Sequence, residues 1–290
     1  MKKGWLWSSF FVFVICVSLH PEKLRQKMAL IQSMEESGAK LFKYRGQIPV
    51  LIFVLALPIL FFTCQKLYTS ITVTNFHNPV YVICTVISVL LVIAGLALRA
   101  YTVCTTPKGT SGRNTARQVA DHLNTKGIYS VVRHPLYLAN YLIWAGLLVY
   151  TMNIFAFIIV SLVYWIYYER IMMTEEAFLR SKYGDEFEQW AAKVPAFFPK
   201  WSLYEGGMLH FSWKTFIRRE YATIMSVVFS YLVIDYLLFY LIDVRHCPET
   251  ADLNHLRPSL HIAAGYTIIA LLIKLIKHKT TWLDAPPDRD

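Results

Sequence analysis

Long apolar runs recur along most of the chain and alternate with short polar or charged segments. Such runs occupy residues 48–64, 80–98, 136–168, 221–242 and 259–273. A membrane-spanning helix needs about 20 mostly apolar residues, and most of these runs approach or exceed that length. The pattern therefore predicts an all-α, polytopic membrane protein.

The run at 136–168 is too long for a single span. It carries no charged residue, and as one straight helix it would extend roughly 50 Å, well past a hydrocarbon core of about 30 Å. Thr151 and Asn153 place polar side chains near its middle, which predicts a break there. We therefore predict a helical hairpin that enters and leaves the membrane on the same side.

The first apolar segment, residues 5–19, is short and follows Lys2 and Lys3. That arrangement is similar to a signal peptide, but no small-x-small cleavage site follows it. The segment is interpreted as an uncleaved anchor or as a helix lying in the membrane interface. The count of predicted spans is accordingly six or seven, including the hairpin.

Positive charge is concentrated in three segments between the apolar runs. Residues 20–47 hold six Lys or Arg, 103–135 hold five and 169–219 hold eight, whereas 66–79 hold one and 243–258 hold two. Cytoplasmic loops carry the excess of Lys and Arg in membrane proteins. The three basic segments, including a cytoplasmic loop at 20–47, are therefore expected on the cytoplasmic side.

Composition agrees with a membrane protein and excludes several other classes. The chain has 290 residues, 56% of them apolar and only 17% charged, with a net charge of +10. Soluble domains average about 25% charged residues, and disordered chains are far less apolar. No basic, aromatic-interleaved soluble module is present, so nucleic-acid binding is not predicted. A multi-pass protein of a bacterial inner membrane is expected.

A first group of polar residues stands at the start of the predicted hairpin. Arg133 and His134 precede Pro135, which suits the first turn of a helix because its missing N–H costs nothing there. Tyr137 and Asn140 are three residues apart and share one face of that helix. These side chains either converge at the helix mouth as a binding site or form an ordinary interfacial belt, and spacing does not decide between the two.

A second polar group follows the hairpin. Glu175 and Glu176 lie on the continuation of the second hairpin helix, which Gly184 is expected to end. Two adjacent glutamates are usually a solvated helix face. However, the hairpin would return them beside Arg133 and His134, so that acids and bases face one another. Such an arrangement suits a charged, zwitterionic small ligand.

These residues also resemble a known family. The stretch 127–137 is similar to a signature of the integral-membrane methyltransferases, the isoprenylcysteine carboxyl methyltransferase and phospholipid N-methyltransferase group. Glu175-Glu176, followed by Tyr183-Gly184-Asp185, resembles the second signature at the expected distance. The resemblance spans roughly 85–199. We therefore divide the chain into N-terminal membrane helices (1–79), a methyltransferase-like core (80–199) and a C-terminal two-helix extension (200–290).

The resemblance implies S-adenosylmethionine as methyl donor and a lipid or amphipathic acceptor that enters from the bilayer, with the active site facing the cytoplasm. Arg133 and Glu175 are the implied catalytic residues, Arg133 as an anchor for the acceptor or for the donor carboxylate. The acceptor atom is a carboxylate, a phosphate or an amine. The implied donor-binding residues are Gly127, Tyr129, His134, Pro135, Tyr137, Asn140, Glu175 and Glu176.

Other interpretations of the sequence remain open at this point. An NADPH-dependent membrane reductase of the steroid-reductase type shares a similar Arg-x-Pro-x-Tyr helix, and a transporter or scaffold would show inverted repeats, which the sequence lacks. Asp235 lies inside an apolar run and has Arg99 as a conceivable partner. No metal site is predicted, because His246, Cys247, His255 and His261 match no standard ligand spacing.

Overall fold

The computed structural model describes residues 21–67, 77–107, 120–207, 209–245 and 257–284. Regular secondary structure in these ranges is helical, apart from an isolated antiparallel bridge between Gly127 and Glu205. The predicted all-α class is confirmed for this part of the chain. The first apolar segment, His246, Cys247 and His255 lie outside the described residues.

Eight α-helices, numbered in chain order, make up the described fold. They are α1 (Pro21–Lys43), α2 (Ile48–Leu67), α3 (Pro79–Thr105), α4 (Pro135–Tyr150), α5 (Ile154–Tyr183), α6 (Asp185–Lys193), α7 (Trp213–Leu238) and α8 (Pro258–Lys279). Short 3₁₀ turns cover Ile128–Ser130 and Trp201–Leu203, and α7 continues as a π-helix over Phe239–Val244.

Four of these helices are long and apolar enough to cross a membrane: α3, α5, α7 with its π-helical end, and α8. Shorter apolar helices cover Pro49–Thr63, within α2, and Pro135–Tyr150. At about 1.5 Å per residue, the 16 residues of α4 rise roughly 24 Å, which is less than a full hydrocarbon core. The count of six or seven spans stays a prediction.

The predicted hairpin is confirmed as two helices joined by a tight turn, and its entry and exit on one side of the membrane stay a prediction. Helix α4 ends at Tyr150 and α5 begins at Ile154, with Met152 between them at a φ of 53°. A positive φ is uncommon for a residue with a side chain and marks the tight reversal. The Asn153 side chain accepts a hydrogen bond from the Ala156 N–H at 3.0 Å and so caps α5.

The segment predicted as a basic cytoplasmic loop is instead mostly a helix, α1. Thr174 of α5 donates a hydrogen bond to the Glu35 carbonyl at 2.9 Å, and Tyr167 donates to the Leu41 carbonyl at 3.3 Å. Gly38 brings the α1 backbone against the Arg170 carbonyl, where a Cβ would clash. A helix needs no apolar run, only residues with good helix propensity and a surface to pack on, so the sequence pattern did not signal α1. The cytoplasmic location of this segment stays a prediction.

Helices α3 and α4 pack so closely that glycines are required at their contact. A Cβ built on Gly95 would lie 2.7 Å from the Ala139 carbonyl oxygen, and one on Gly146 would lie 2.7 Å from the Ser88 carbonyl oxygen. Small residues let two helix backbones approach each other in membranes, where van der Waals packing drives association. This contact fixes the start of α4 against α3.

Gly146→Ala is expected to lower stability by about 1–3 kcal/mol, because the new methyl group meets a backbone atom that cannot rotate away. The measurement is the thermal unfolding midpoint in detergent. The matched control is Gly265→Ala in α8, where nothing lies within 4 Å of the added Cβ. Equal midpoints for the two variants would contradict the close contact between α3 and α4.

Asp235 of α7 is paired, but its partner is Arg257 at the start of α8 and not Arg99. Arg257 Nε and Nη2 donate to the two carboxylate oxygens of Asp235, each at 2.8 Å. Tyr150 and Ser259 add hydroxyl donors at 2.9 Å and 2.6 Å. Asp235 is 2% exposed, so these contacts compensate a buried charge and join α4, α7 and α8.

Candidate active site

The hairpin brings the two predicted polar groups together, as the sequence analysis expects. His134 Nε2 lies 2.8 Å from Glu176 Oε1, and His134 Nδ1 lies 3.6 Å from Glu175 Oε2. Tyr137 donates its hydroxyl proton to Glu175 Oε1 at 2.7 Å. We call His134, Tyr137, Glu175 and Glu176 the His–Glu cluster.

Local sequence explains how the His–Glu cluster forms. His134 is the N-cap of α4, and Pro135 occupies the first turn of that helix. The His134 ring stacks on Tyr137, with ring centroids 5.7 Å apart. Helix α5 has 30 residues, which rise about 45 Å and carry Glu175 and Glu176 beyond the apolar part of the helix. The length of α5 therefore places the acids beside the start of α4.

The two glutamates control the charge of His134. The ring is buried, and burial alone would lower its pKa, but hydrogen bonds to Glu175 and Glu176 and their negative charges outweigh that effect. The pKa of His134 is therefore raised above its ordinary value of 6.5. The two glutamates therefore favour the protonated form of the ring more than burial disfavours it.

Arg133 binds protein groups with its whole guanidinium. Nε and Nη2 donate to the two oxygens of Glu176 at 2.8 Å and 3.3 Å. Nη1 donates to the carbonyls of Ala191 and Val194 at 2.7 Å and 2.8 Å, near the end of α6. Arg133 thus orients Glu176 and holds α6 against it. These contacts are those of a residue that positions its neighbours. A direct catalytic role for Arg133 stays a prediction.

Arg45 is a site residue that sequence reasoning missed. Its Nη1 lies 3.4 Å from Glu175 Oε1, and its guanidinium lies 4.1 Å from the centre of the Phe42 ring. The residue follows α1, whose packing on α5 positions it. No motif or spacing signals this contact, because the residues are 130 positions apart. Only the docking of α1 creates it.

A cavity of about 840 Å³ opens from the His–Glu cluster into the interior of the helix bundle. Its volume lies within the range of about 300–1,000 Å³ that is typical of small-molecule sites. All four members of the His–Glu cluster line it. Its far part is mainly apolar and is lined by Phe53 of α2, Ile143 and Leu147 of α4 and Val227 of α7. We call this part the apolar arm.

The other residues predicted to contact the methyl donor divide into two groups. Tyr129 and Pro135 line the cavity beside the His–Glu cluster. Gly127 does not line it; its N–H donates to the Glu205 carbonyl at 2.9 Å, and its carbonyl accepts from the Ser130 hydroxyl at 2.7 Å. Its φ of 62° favours glycine. Gly127 therefore shapes the turn that positions Tyr129.

Asn140 also lines the cavity, and its contact with the methyl donor stays a prediction. Its Oδ1 accepts from Arg99 Nη1 at 2.8 Å, and Arg99 Nε donates to Glu220 Oε2 at 2.6 Å. We call Arg99, Asn140 and Glu220 the Arg99 cluster, and all three residues line the cavity. Sequence reasoning missed Glu220, although an acid directly after Arg218 and Arg219 at the start of an apolar run was a usable signal.

Comparison with known proteins supports the family resemblance. Residues 83–186 match the family model of phospholipid methyltransferase. The matched region contains α4, the hairpin turn, α5 and the whole His–Glu cluster. The resemblance to the isoprenylcysteine and phospholipid methyltransferases is confirmed.

Curated relatives match a limited share of the chain. Protein-S-isoprenylcysteine O-methyltransferase of Schizosaccharomyces pombe is 43% identical over 81 residues, which are 27% of this chain and 34% of that protein. Cobalt-zinc-cadmium resistance protein CzcN of Cupriavidus metallidurans is 40% identical over 84 residues, 29% of this chain and 38% of that protein. Probable protein-S-isoprenylcysteine O-methyltransferase of Oryza sativa subsp. indica is 32% identical over 120 residues, which are 39% of this chain and 60% of that protein.

The chain therefore spans about a third to three fifths of the length of these relatives. No solved structure gives a significant match to it. The similarity is concentrated in the core that contains the hairpin, and α7 and α8 lie outside the matched family region.

Proposed function

We propose that this chain is an S-adenosylmethionine-dependent membrane methyltransferase that acts on a lipid or amphipathic acceptor. One observation carries the proposal: a single cavity joins the charged His–Glu cluster to the apolar arm inside the helix bundle. Such a cavity suits a polar donor at one end and an amphiphile at the other. The match of residues 83–186 to phospholipid methyltransferases supports the same reaction class.

The residues of the His–Glu cluster fit the donor. S-adenosylmethionine carries an ammonium and a carboxylate, and the carboxylates of Glu175 and Glu176 are suited to accept hydrogen bonds from the ammonium. Their side chains are 24% and 19% exposed, so both remain accessible from the cavity. Tyr129, His134 and Pro135 complete this wall. Arg45 beside Glu175 adds a positive charge that suits the donor carboxylate.

When bound, S-adenosylmethionine supplies a methyl group on a positively charged sulfur, which leaves as a neutral thioether with the C–S electron pair while the acceptor oxygen or nitrogen bonds the methyl carbon. The protein's contribution is to align donor and acceptor and to exclude water. An amine acceptor must also lose a proton. Glu175 lines the cavity with a carboxylate, and it is the residue we propose for that step.

We place this site on the cytoplasmic side of the membrane. Two of the basic segments, 20–47 and 169–219, which hold 14 of the 29 Lys and Arg, adjoin the His–Glu cluster in the structure through α1 and the end of α5. The positive-inside rule assigns such segments to the cytoplasm. The apolar arm then extends from this surface toward the bilayer centre.

Calorimetry with the purified full chain tests the proposal. We expect S-adenosylmethionine to bind the wild type. His134→Ala should weaken this binding at least tenfold, because the variant removes a side chain that contacts both Glu175 and Glu176. His278→Ala at the end of α8 serves as the control, since His278 does not line the cavity. Incubation with labelled donor and total membrane lipid, followed by mass analysis, then identifies the acceptor. Preferential binding of NADPH would contradict the methyltransferase proposal and favour a reductase.

A further inference from the structure

The segment that follows α6 runs along the sequence that precedes α4. We call residues 194–205 the strap and residues 127–134 the motif loop. The Gly127 N–H donates to the Glu205 carbonyl at 2.9 Å, and the Glu205 N–H donates to the Ser130 hydroxyl at 2.9 Å. The strap therefore fixes one end of the motif loop.

The strap fixes the other end of the motif loop as well, next to the His–Glu cluster. The Pro195 carbonyl accepts from the Arg133 N–H at 2.9 Å, and the Ala196 carbonyl accepts from the His134 N–H at 3.1 Å. Arg133 in turn holds Glu176. The position of the strap thus sets the backbone position of two residues at the candidate active site.

The outer face of the strap is aromatic and open. Phe198, Trp201 and Tyr204 are 65%, 64% and 50% exposed. Lys200 stands between them in the sequence and is exposed as well. Large exposed apolar surfaces mark contacts with a membrane or a protein, and Trp and Tyr are enriched where a bilayer meets water.

Neighbouring helices place the strap at the level of the membrane surface. Phe197 packs edge-on against Trp165 of α5, with ring centroids 5.2 Å apart. Trp165 lies near the end of the uncharged run 136–168 and is 38% exposed. The Tyr204 hydroxyl lies 2.7 Å from the hydroxyl of Tyr101, just after the apolar part of α3. Both contacts are at the ends of apolar stretches, where hydrocarbon gives way to lipid headgroups.

The charges on and beside the strap are complementary to anionic lipid. Residues 193–214 hold three lysines and a single acidic residue, Glu205. The three lysines are all exposed, and they are Lys193, Lys200 and Lys214. Basic side chains near a leaflet attract its anionic headgroups. The level of the strap favours a leaflet over an acidic protein as the source of that negative charge.

We propose that the strap binds the anionic headgroup region of the cytoplasmic leaflet, and that this contact holds the motif loop in the conformation that binds the methyl donor. The exposed aromatic side chains of the strap enter the interface, and the lysines face lipid phosphates. The affinity for the donor then depends on the lipid composition. This dependence rests on the proposed methyltransferase function, whereas the lipid contact does not.

Backbone hydrogen–deuterium exchange of the full chain tests the lipid contact. Nanodiscs of phosphatidylcholine alone are compared with nanodiscs of phosphatidylcholine and phosphatidylglycerol in equal amounts. We expect peptides from the strap and the motif loop to exchange about threefold more slowly in the mixed nanodiscs, because lipid contact stabilises the hydrogen bonds between them. In about 1 M NaCl, where the Debye length falls to about 3 Å, this difference should disappear.

The double variant Lys200→Gln/Lys214→Gln should lose most of the difference between the two kinds of nanodisc. It removes two exposed charges and leaves every backbone hydrogen bond of the strap in place. Lys40→Gln is the matched control and should keep the difference, since Lys40 is exposed on α1 and lies outside the strap. A full difference that persists in the double variant would overturn the role of the lysines.

Calorimetry with S-adenosylhomocysteine in the same nanodiscs tests the effect on the donor site. We expect the wild type to bind about threefold more tightly in the mixed nanodiscs, and the lysine double variant to bind equally in both. Lipid-dependent exchange with equal affinities in the wild type would refute the effect on the donor site.

The failures of the two proposals are distinguishable. Equal exchange rates in the two kinds of nanodisc overturn the lipid contact and the inference with it, and they leave the methyltransferase function standing if the donor binds. A wild type that binds neither S-adenosylmethionine nor S-adenosylhomocysteine contradicts the methyltransferase function. Lipid-dependent exchange in that case still supports the contact between the strap and the anionic leaflet.

Discussion

Arg133→Met is expected to lower the affinity for S-adenosylmethionine more than a hundredfold and to lower the thermal unfolding midpoint. The guanidinium donates to both oxygens of Glu176 and to the carbonyls of Ala191 and Val194. Its loss leaves a carboxylate and two carbonyls without these partners. Removing one partner of a buried ion pair costs about 3–5 kcal/mol, and a hundredfold change in affinity corresponds to about 2.8 kcal/mol. Calorimetry and thermal unfolding measure the two effects.

Two further variants separate charge from geometry at Arg133. Arg133→Lys keeps the positive charge but lacks the planar fork that holds Glu176 and two carbonyls, so an intermediate loss is expected. Arg180→Met removes an arginine from an exposed pair with Glu188 and should have little effect. An affinity of Arg133→Met for S-adenosylmethionine within a factor of three of the wild type would contradict the role of Arg133 in positioning Glu176.

Asp235→Ala is expected to destabilise the protein by about 3–5 kcal/mol without touching the His–Glu cluster. The substitution removes the carboxylate that accepts from Arg257, whose side chain is 12% exposed, and it removes the acceptor for the Tyr150 and Ser259 hydroxyls. Removing one partner of a buried ion pair is costly, whereas replacing both partners is much cheaper. Unfolding of the purified protein in detergent, followed by temperature or denaturant, measures the change.

The double variant Asp235→Ala/Arg257→Met is the decisive comparison, because it removes both charges. It should recover a large part of the stability that Asp235→Ala loses. Asp284→Ala breaks the exposed pair with Arg218 and should change stability by less than about 1 kcal/mol. A double variant that is less stable than Asp235→Ala would mean that the Arg257 side chain stabilises the helices through packing rather than through the ion pair.

Helix positions were predictable where lipid imposes a pattern. The apolar runs at 80–98, 221–242 and 259–273 lie in helices, the second of them in α7 and its π-helical end, because a chain in hydrocarbon must satisfy its backbone hydrogen bonds internally. The same reasoning, applied to length, placed the hairpin turn at Thr151 to Asn153. Helix α1 could not be predicted in this way, because its sequence contains no long apolar run.

The His–Glu cluster was predictable for a related reason. A hairpin returns its second helix to the side where the first began, so Glu175 and Glu176 had to lie near Arg133 and His134. The sequence did not indicate which of these residues would pair with which. Arg133 turned out to hold Glu176 and α6, and Asn140 turned out to face Arg99, because those contacts depend on the rotation and crossing of helices about their axes.

The sequence by itself determined the fold class, the hairpin and the meeting of two acids with a histidine, because each follows from hydrophobic length and from chain connectivity. Only the tertiary structure decided the positions of Arg45, Glu220 and Arg257 beside their partners Glu175, Arg99 and Asp235. The pairs that include Arg45 and Glu220 join residues more than 120 positions apart. Their contacts arise from the packing of α1 on α5 and of α7 on α3 and α4, which no local pattern encodes.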